Sequence, residues 1–288
     1  MTAADTQEWL ARKERGAVPV MKLFVWMALQ LGRPLTRLFL APLCLYFVLF
    51  CGEARRASID YLQRVLSRTP RFGDIFRHFH TFGSVVLDRI YLLNDQLDLF
   101  DIRITGEEIV QDIAGAGQGC LLLGAHLGSF EVLRAVGRRQ PDLQVSIVMY
   151  EDNARKTNAA LNAINPNLAM EVIALGRSGS LLQVEARLST GHFVGVLADR
   201  GLACEDQVRI DFLGDPAAFP EGPFRMGALF KRPMVLMFGL YRGGNRYDVH
   251  FERFDPAPET ALTEYAARLA HYAKIAPFNW FNFYEFWR

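Results

Sequence analysis

Residues 120 to 123, Cys120-Leu121-Leu122-Leu123, form an unbroken apolar run between a glycine-rich turn and a polar loop. An amphipathic helix would interrupt such a run with polar residues, and a strand with one wet face would alternate. The pattern therefore predicts a strand buried on both faces, which requires a sheet covered on both sides. The chain that follows supplies the covers. Residues 143 to 150 read as a strand, 154 to 163 as a helix, 170 to 175 as a strand, 181 to 188 as a helix and 192 to 197 as another apolar strand. This alternation implies an α/β fold with a central, mostly parallel sheet flanked by helices, whose ligand crevice lies at the carboxyl ends of the strands.

Around that unit, residues 54 to 93 carry helical periodicity in two segments separated by Pro70 and Gly73. Residues 102 to 105 read as a strand and 107 to 113 as a helix. A hairpin of strands, 233 to 240 and 247 to 254, turns at Gly243-Gly244, and 260 to 274 form a closing amphipathic helix. The glycines of residues 115 to 119 precede a strand instead of following one, so they are a turn and not a dinucleotide fingerprint. Gly176-Arg177-Ser178-Gly179-Ser180 lies between a strand and a helix, where backbone N–H groups and an Arg can hold a phosphate such as that of a pantetheine arm. Capping by Ser178 or Ser180 accounts for it more simply. His78 and His80 are two apart on a helix and do not share a face, so they are packing or surface residues and not a metal pair.

His126 and Asp199-Arg200 both fall just past strand ends, on one edge of the sheet. Ser129 opens a helical pattern through Val132, Leu133 and Val136 and is a candidate N-cap. Positions five apart on one helix diverge by roughly 140°, so His126 and Glu131 meet only if His126 sits in the loop and Glu131 in the helix's first turn. There the helix dipole favours a charged carboxylate. A carboxylate on one imidazole nitrogen leaves the other free to take a proton from a hydroxyl nucleophile. Read this way, His126 is a general base and Glu131 its orienting acid.

A net charge of +1 over 288 residues argues against a nucleic-acid binder. Cys44, Cys51, Cys120 and Cys204 lack C-x-x-C spacing, so neither a zinc site nor a disulfide framework is indicated, and reduced thiols are expected. No metal and no cofactor are called for.

The first fifty positions hold two apolar runs, 18 to 31 and 38 to 51, broken at Gly32-Arg33-Pro34. The second, as a helix, is about 21 Å long against a hydrocarbon core of about 30 Å, so neither run spans cleanly alone. No A-x-A cleavage site is evident, and the segment reads as retained. Arg33, Arg37, Arg55 and Arg56 flank the second run as interfacial cations would. A tilted span, a monotopic hairpin and the buried helical hairpin of a soluble protein are all compatible with this pattern.

His126-Leu127-Gly128-Ser129-Phe130-Glu131 after a buried strand resembles the H-x4-D/E block of the lipid A late (lauroyl and myristoyl) acyltransferases, in the lysophospholipid acyltransferase-like superfamily. Val196-Leu197-Ala198-Asp199-Arg200 resembles that family's strand ending in an Asp dipeptide, with Arg200 where Gln or His is usual. Residues 212 to 218 and 222 to 233 resemble its small-residue loop leading into a helix, whereas Phe219-Pro220-Glu221-Gly222 matches the glycerol-phosphate acyltransferases' block by chance, since it follows the strand ending at Asp199. The aromatic stretch from Trp280 to Trp287 keeps the family's tryptophans without its polar residues.

The resemblance implies a glycerol-phosphate acyltransferase-like fold, a membrane-associated helical segment over 1–51 and an acyltransferase domain over 52–288. It implies transfer of an acyl chain from acyl carrier protein or acyl-CoA to a hydroxyl of a lipid or glycolipid, at the cytoplasmic face of a bacterial inner membrane. Catalysis would fall to His126 and Glu131, and substrate binding to Asp199, Arg200, Gly128 and Ser129. The departures point toward a relative with another acceptor, such as an aryl-polyene-type lipid. Two rivals stand beside this reading: a hydrolase with Ser129 as nucleophile, which lacks the G-x-S-x-G elbow, and a non-catalytic lipid-binding protein of the same fold.

Overall fold

The computed structural model describes residues 22–132, 143–150, 161, 163–165, 171–176, 179–201 and 207–287. Among the described residues seven strands form the central sheet: β1 Asp101–Thr105, β2 Cys120–Gly124, β3 Val145–Tyr150, β4 Glu171–Leu175, β5 Phe193–Leu197, β8 Met234–Gly243 and β9 Arg246–Phe254. Their order is β1-β9-β8-β2-β5-β3-β4. Among the described residues only the β8–β9 hairpin pairs antiparallel within this sheet, so the mostly parallel α/β architecture read from the sequence is present. β2 lies mid-sheet and all five of its residues are buried. Its side chains alternate between two apolar layers. Leu121 and Leu123 join Tyr61, Phe79 and Trp280 on one face, and Cys120 and Leu122 join Tyr91, Val110 and Tyr247 on the other. This double burial is why the run carries no polar residue; each fully buried Leu stabilises the fold by about 1.5–3 kcal/mol.

Helices α1 Lys22–Leu38, α2 Leu40–Phe50, α3 Gly52–Leu66, α4 Phe72–Leu93, α5 Glu107–Gly115, α6 Ser180–Ser189, α7 Gly222–Phe230 and α8 Ala261–Ile275 surround the sheet. The helix expected over 154 to 163 and the continuation past Val132 fall largely outside the described residues. The Ser180 hydroxyl donates to the carbonyl of Ala174 (2.7 Å), while Arg177 and Ser178 lie outside the described residues.

Three expectations are corrected. The small-residue stretch within 212 to 218 is not a loop but the centre of a separate antiparallel hairpin, β6 Gln207–Phe212 and β7 Asp215–Pro220. Leu213 and Gly214 both take positive φ there, the two-residue turn whose twist matches paired strands. Nor does Gly32-Arg33-Pro34 end the first helix. Gly32 takes positive φ within it, the Thr36 hydroxyl donates to the Gly32 carbonyl, and the 63° bend comes between α1 and α2. Finally, Arg33 and Arg37 face the protein. The Arg33 guanidinium grips the fully buried Asp88 of α4 at 2.7 and 2.8 Å, and Arg37 donates to the Tyr241 hydroxyl and the Gly244 carbonyl. They clamp the N-terminal helix pair to α4 and the β8–β9 turn.

The outer face of that pair is apolar, with Trp26 59%, Leu38 70% and Phe50 71% exposed. Among the described residues no single helix is long and apolar enough to cross a membrane; α1 and α2 pass that test only together, as a bent pair.

Candidate active site

β2 and β5 are parallel neighbours in register Gly124↔Leu197, so the loops that follow them start side by side at one sheet edge. The chain leaves β2 toward β3 and leaves β5 toward β8, in opposite directions along the sheet, the kind of place where open α/β sheets form a crevice. The Ala198 N–H extends the ladder one step by donating to the Gly124 carbonyl (2.9 Å), and the buried Tyr265 hydroxyl donates to the same oxygen (2.7 Å). These bonds fix where the next residue of each loop points.

Asp199 follows Ala198 directly, and His126 stands two positions past Gly124. His126 Nδ1 lies 2.9 Å from Asp199 Oδ1, and the His126 backbone N–H donates to Oδ2 at 3.1 Å. Asp199 is fully buried, and Oδ2 also accepts from the Trp280 indole N–H at 2.9 Å. Burial works to raise the Asp199 carboxyl, but His126, Arg200 and the Trp280 donor outweigh it and hold the group well below the usual carboxylate range. A carboxylate only accepts, so Nδ1 carries a proton, and in the neutral imidazole Nε2 then presents a lone pair. The His126 side chain is 38% exposed and lines a cleft of about 400 Å³, together with Phe82, Val86 and Arg89 of α4, Phe130 and Arg200. A larger hollow of about 560 Å³ lies at the opposite sheet edge, by Met234 and Phe254, remote from this pair.

Glu131 does not hold the imidazole. It accepts from the Ser129 hydroxyl (3.0 Å) and pairs with Arg89 (Nε–Oε1 2.6 Å) at the wall of the cleft. The reason is local. Gly128 takes positive φ, its N–H donates to the Asn279 carbonyl, and it passes so close to the Gly239 backbone that any Cβ would collide with that carbonyl. The chain turns there, while Asp199 is already delivered by the neighbouring strand.

Ser129 is 1% exposed, with its hydroxyl spent on Glu131, a poor disposition for the nucleophile of a hydrolase. The amides of Gly128 and Ser129 are spent on Asn279 and Gly239 carbonyls (both 2.8 Å), so these residues shape the loop. Arg200 donates to the Phe281 carbonyl (2.5 Å), stacks over Tyr284 (4.9 Å) and keeps Nε 3.8 Å from Asp199 Oδ2. Sequence reasoning missed Arg89, Tyr265 and Trp280 as members of this cluster. Trp280 stood in a flagged aromatic stretch, but nothing marked one ring of that stretch as polar-bonded.

Phe130 lies across Gly195 of β5, where an added Cβ would stand 2.6 Å from the ring's Cζ. Gly195→Ala should therefore push the ring toward the cleft and cost about 1–3 kcal/mol, as overpacking typically does. Thermal melting checks this; an unchanged midpoint would mean that the ring has free space to move.

The family model for bacterial lipid A biosynthesis acyltransferases matches residues 22–288. Among curated proteins, glucose-6-phosphate isomerases from two strains of Acinetobacter baumannii are similar to this chain, each 22% identical over 231 residues. Each match takes in 70% of this chain, which spans 39% of the relative's length.

Proposed function

Because this chain belongs to the bacterial lipid A biosynthesis acyltransferase family, we propose that it is a membrane-associated O-acyltransferase. It moves an acyl chain from an acyl carrier protein or coenzyme A thioester to a hydroxyl of a lipid or glycolipid. The observation that carries the mechanism is the imidazole held through Nδ1 by a buried carboxylate, with its other edge toward a partly apolar cleft. In the reaction His126 Nε2 removes the acceptor hydroxyl proton as that oxygen attacks the thioester carbonyl. Asp199 stabilises the imidazolium that results, and the imidazolium then protonates the departing thiolate. The nucleophile belongs to the substrate, so no acyl-enzyme forms. The amides of His126, Gly128 and Ser129 are already engaged, and the guanidinium groups of Arg89 and Arg200 are charged donors lining the cleft for the tetrahedral oxyanion.

The exposed apolar face of α1 and α2 supports residence at a bilayer, and the reading places the protein at the cytoplasmic face of a bacterial inner membrane. Arg200 in place of the family's usual residue, and the loss of polar groups from the aromatic stretch, favour an acceptor other than a lipid A precursor, such as an aryl-polyene-type lipid.

The test uses purified full-length protein in phospholipid vesicles, labelled acyl carrier protein or acyl-CoA, and a panel of lipid extracts. The expected product is an alkali-labile ester on a lipid, and the protein should float with the vesicles. Lipid binding with no transfer from any donor would favour the non-catalytic alternative. Recovery in the vesicle-free fraction would overturn the membrane reading.

A further inference from the structure

Residues 278 to 287 pack beneath the His126 loop, with Trp280 at their centre. Its ring is fully buried and meets Tyr61, Phe212 and Phe286 edge-on at 5.0, 5.2 and 4.9 Å. Packing alone would be served by any large apolar ring, yet this one has polar partners on two sides. Its indole N–H donates to Asp199 Oδ2, and its carbonyl faces Nε2 of the fully buried His78 at 3.0 Å. A carbonyl only accepts, so His78 Nε2 carries the hydrogen and Nδ1 accepts from the Ser58 hydroxyl at 2.8 Å. Burial lowers the His78 pKa to about 4, which keeps this ring neutral and its tautomer fixed. The next residue completes the frame, since the Phe281 N–H donates to the His126 carbonyl at 2.8 Å.

Asp199 is thus held at both oxygens. Oδ1 takes the imidazole, and Oδ2 takes the indole and the His126 backbone N–H. A carboxylate turns about its Cβ–Cγ bond, and only one rotation puts Oδ1 in line with Nδ1. Without the indole, the 3.1 Å backbone bond and the distant Arg200 Nε would be left to set that rotation.

We propose that Trp280 is a positioning residue of the His126–Asp199 pair, its indole N–H locking the carboxylate in the rotation that orients the imidazole. It acts through Asp199 and touches no substrate. For catalysis the inference rests on the acyl-transfer reading above, but the geometry it claims does not.

The discriminating variant replaces Trp280 with 3-benzothienylalanine, which keeps the bicyclic shape and exchanges N–H for sulfur. It is assayed in the full-length protein in the same vesicles. Expected are an unchanged melting midpoint, an unchanged KM and a kcat lower by about ten- to a hundredfold, the change that loss of one hydrogen bond to a charged group carries. A kcat equal to wild type overturns the proposal, as does a loss that merely tracks a fall in melting midpoint. Carbethoxylation of His126, followed by mass spectrometry, gives a second readout that needs no substrate. It should slow severalfold in the variant, and an unchanged rate overturns the proposal. If the wild-type protein transfers no acyl groups, the functional reading fails while this second measurement still decides the role of Trp280. Should the benzothienyl variant not fold, Trp280→Phe is read by the same carbethoxylation rate and the same criteria.

Discussion

His126→Ala should lower acyl transfer by about 10² to 10⁴, the range general-base catalysis supplies, with donor binding largely kept. Asp199→Asn should lose about as much, by a different route. An amide presented to Nδ1 no longer supports the imidazolium, and it favours the tautomer whose Nε2 already carries a proton. Glu131→Gln should cost far less, because its carboxylate meets Arg89 and Ser129 and not the imidazole. Glu221→Gln should be near neutral, since that side chain pairs with Arg225 one helical turn on. The measurement is kcat at saturating donor for the four variants. If Glu131→Gln fell to the level of His126→Ala while Asp199→Asn stayed active, Glu131 would be the orienting acid after all, and the resting hydrogen bond to Asp199 would not be the one used in turnover.

The parts of this molecule set by local pattern could be read from the chain, and those set by register could not. The apolar run of residues 120 to 123 announces a doubly buried strand because each of its side chains meets one of two dry layers. Asp199 could be placed on the same sheet edge as His126, since both follow strands. That β5 lies beside β2, with β3 beyond it, is a matter of sheet order, which a single sequence does not encode locally. Glu131, five residues away along the chain, was therefore the nearer partner on paper. The same limit applies to Arg33 and Arg37. Flanking an apolar run, they have the pattern of headgroup-facing cations, and only the fold reveals acceptors on α4, β8 and the β8–β9 turn within their reach. The β6–β7 hairpin escaped for another reason. Residues 207 to 212 do alternate, with Val208, Ile210 and Phe212 on one face, but their partner, Asp215-Pro216-Ala217-Ala218-Phe219-Pro220, holds two prolines and no β-branched residue, so the second strand gave no signal.

Asp88→Asn should lower the stability of the fold by about 3–5 kcal/mol, the usual cost of breaking a buried ion pair by neutralising one partner. Asp88 is fully buried and Arg33 is 11% exposed, so little water is at hand to replace what is lost. The Tyr247 hydroxyl also donates to Asp88 Oδ2 at 2.8 Å, so an amide there must satisfy a guanidinium and a phenol with one carbonyl oxygen. Arg33→Met combined with Asp88→Leu should recover much of the loss, because apolar groups of similar volume avoid the desolvation cost of both charges. The effect should reach the cleft. Phe82 and Val86 lie on the same helix within two turns of Asp88, and Arg33 ties α1 to that helix alongside the Tyr91 hydroxyl, which donates to the Ala28 carbonyl. Loosening it should reduce transfer to vesicle-borne lipid along with the melting midpoint, and the double variant should restore both. If Asp88→Asn melted like wild type, the Arg33 contact would contribute no more than a surface pair, and the docking of α1 and α2 would rest on apolar packing with the Arg37 and Tyr91 hydrogen bonds.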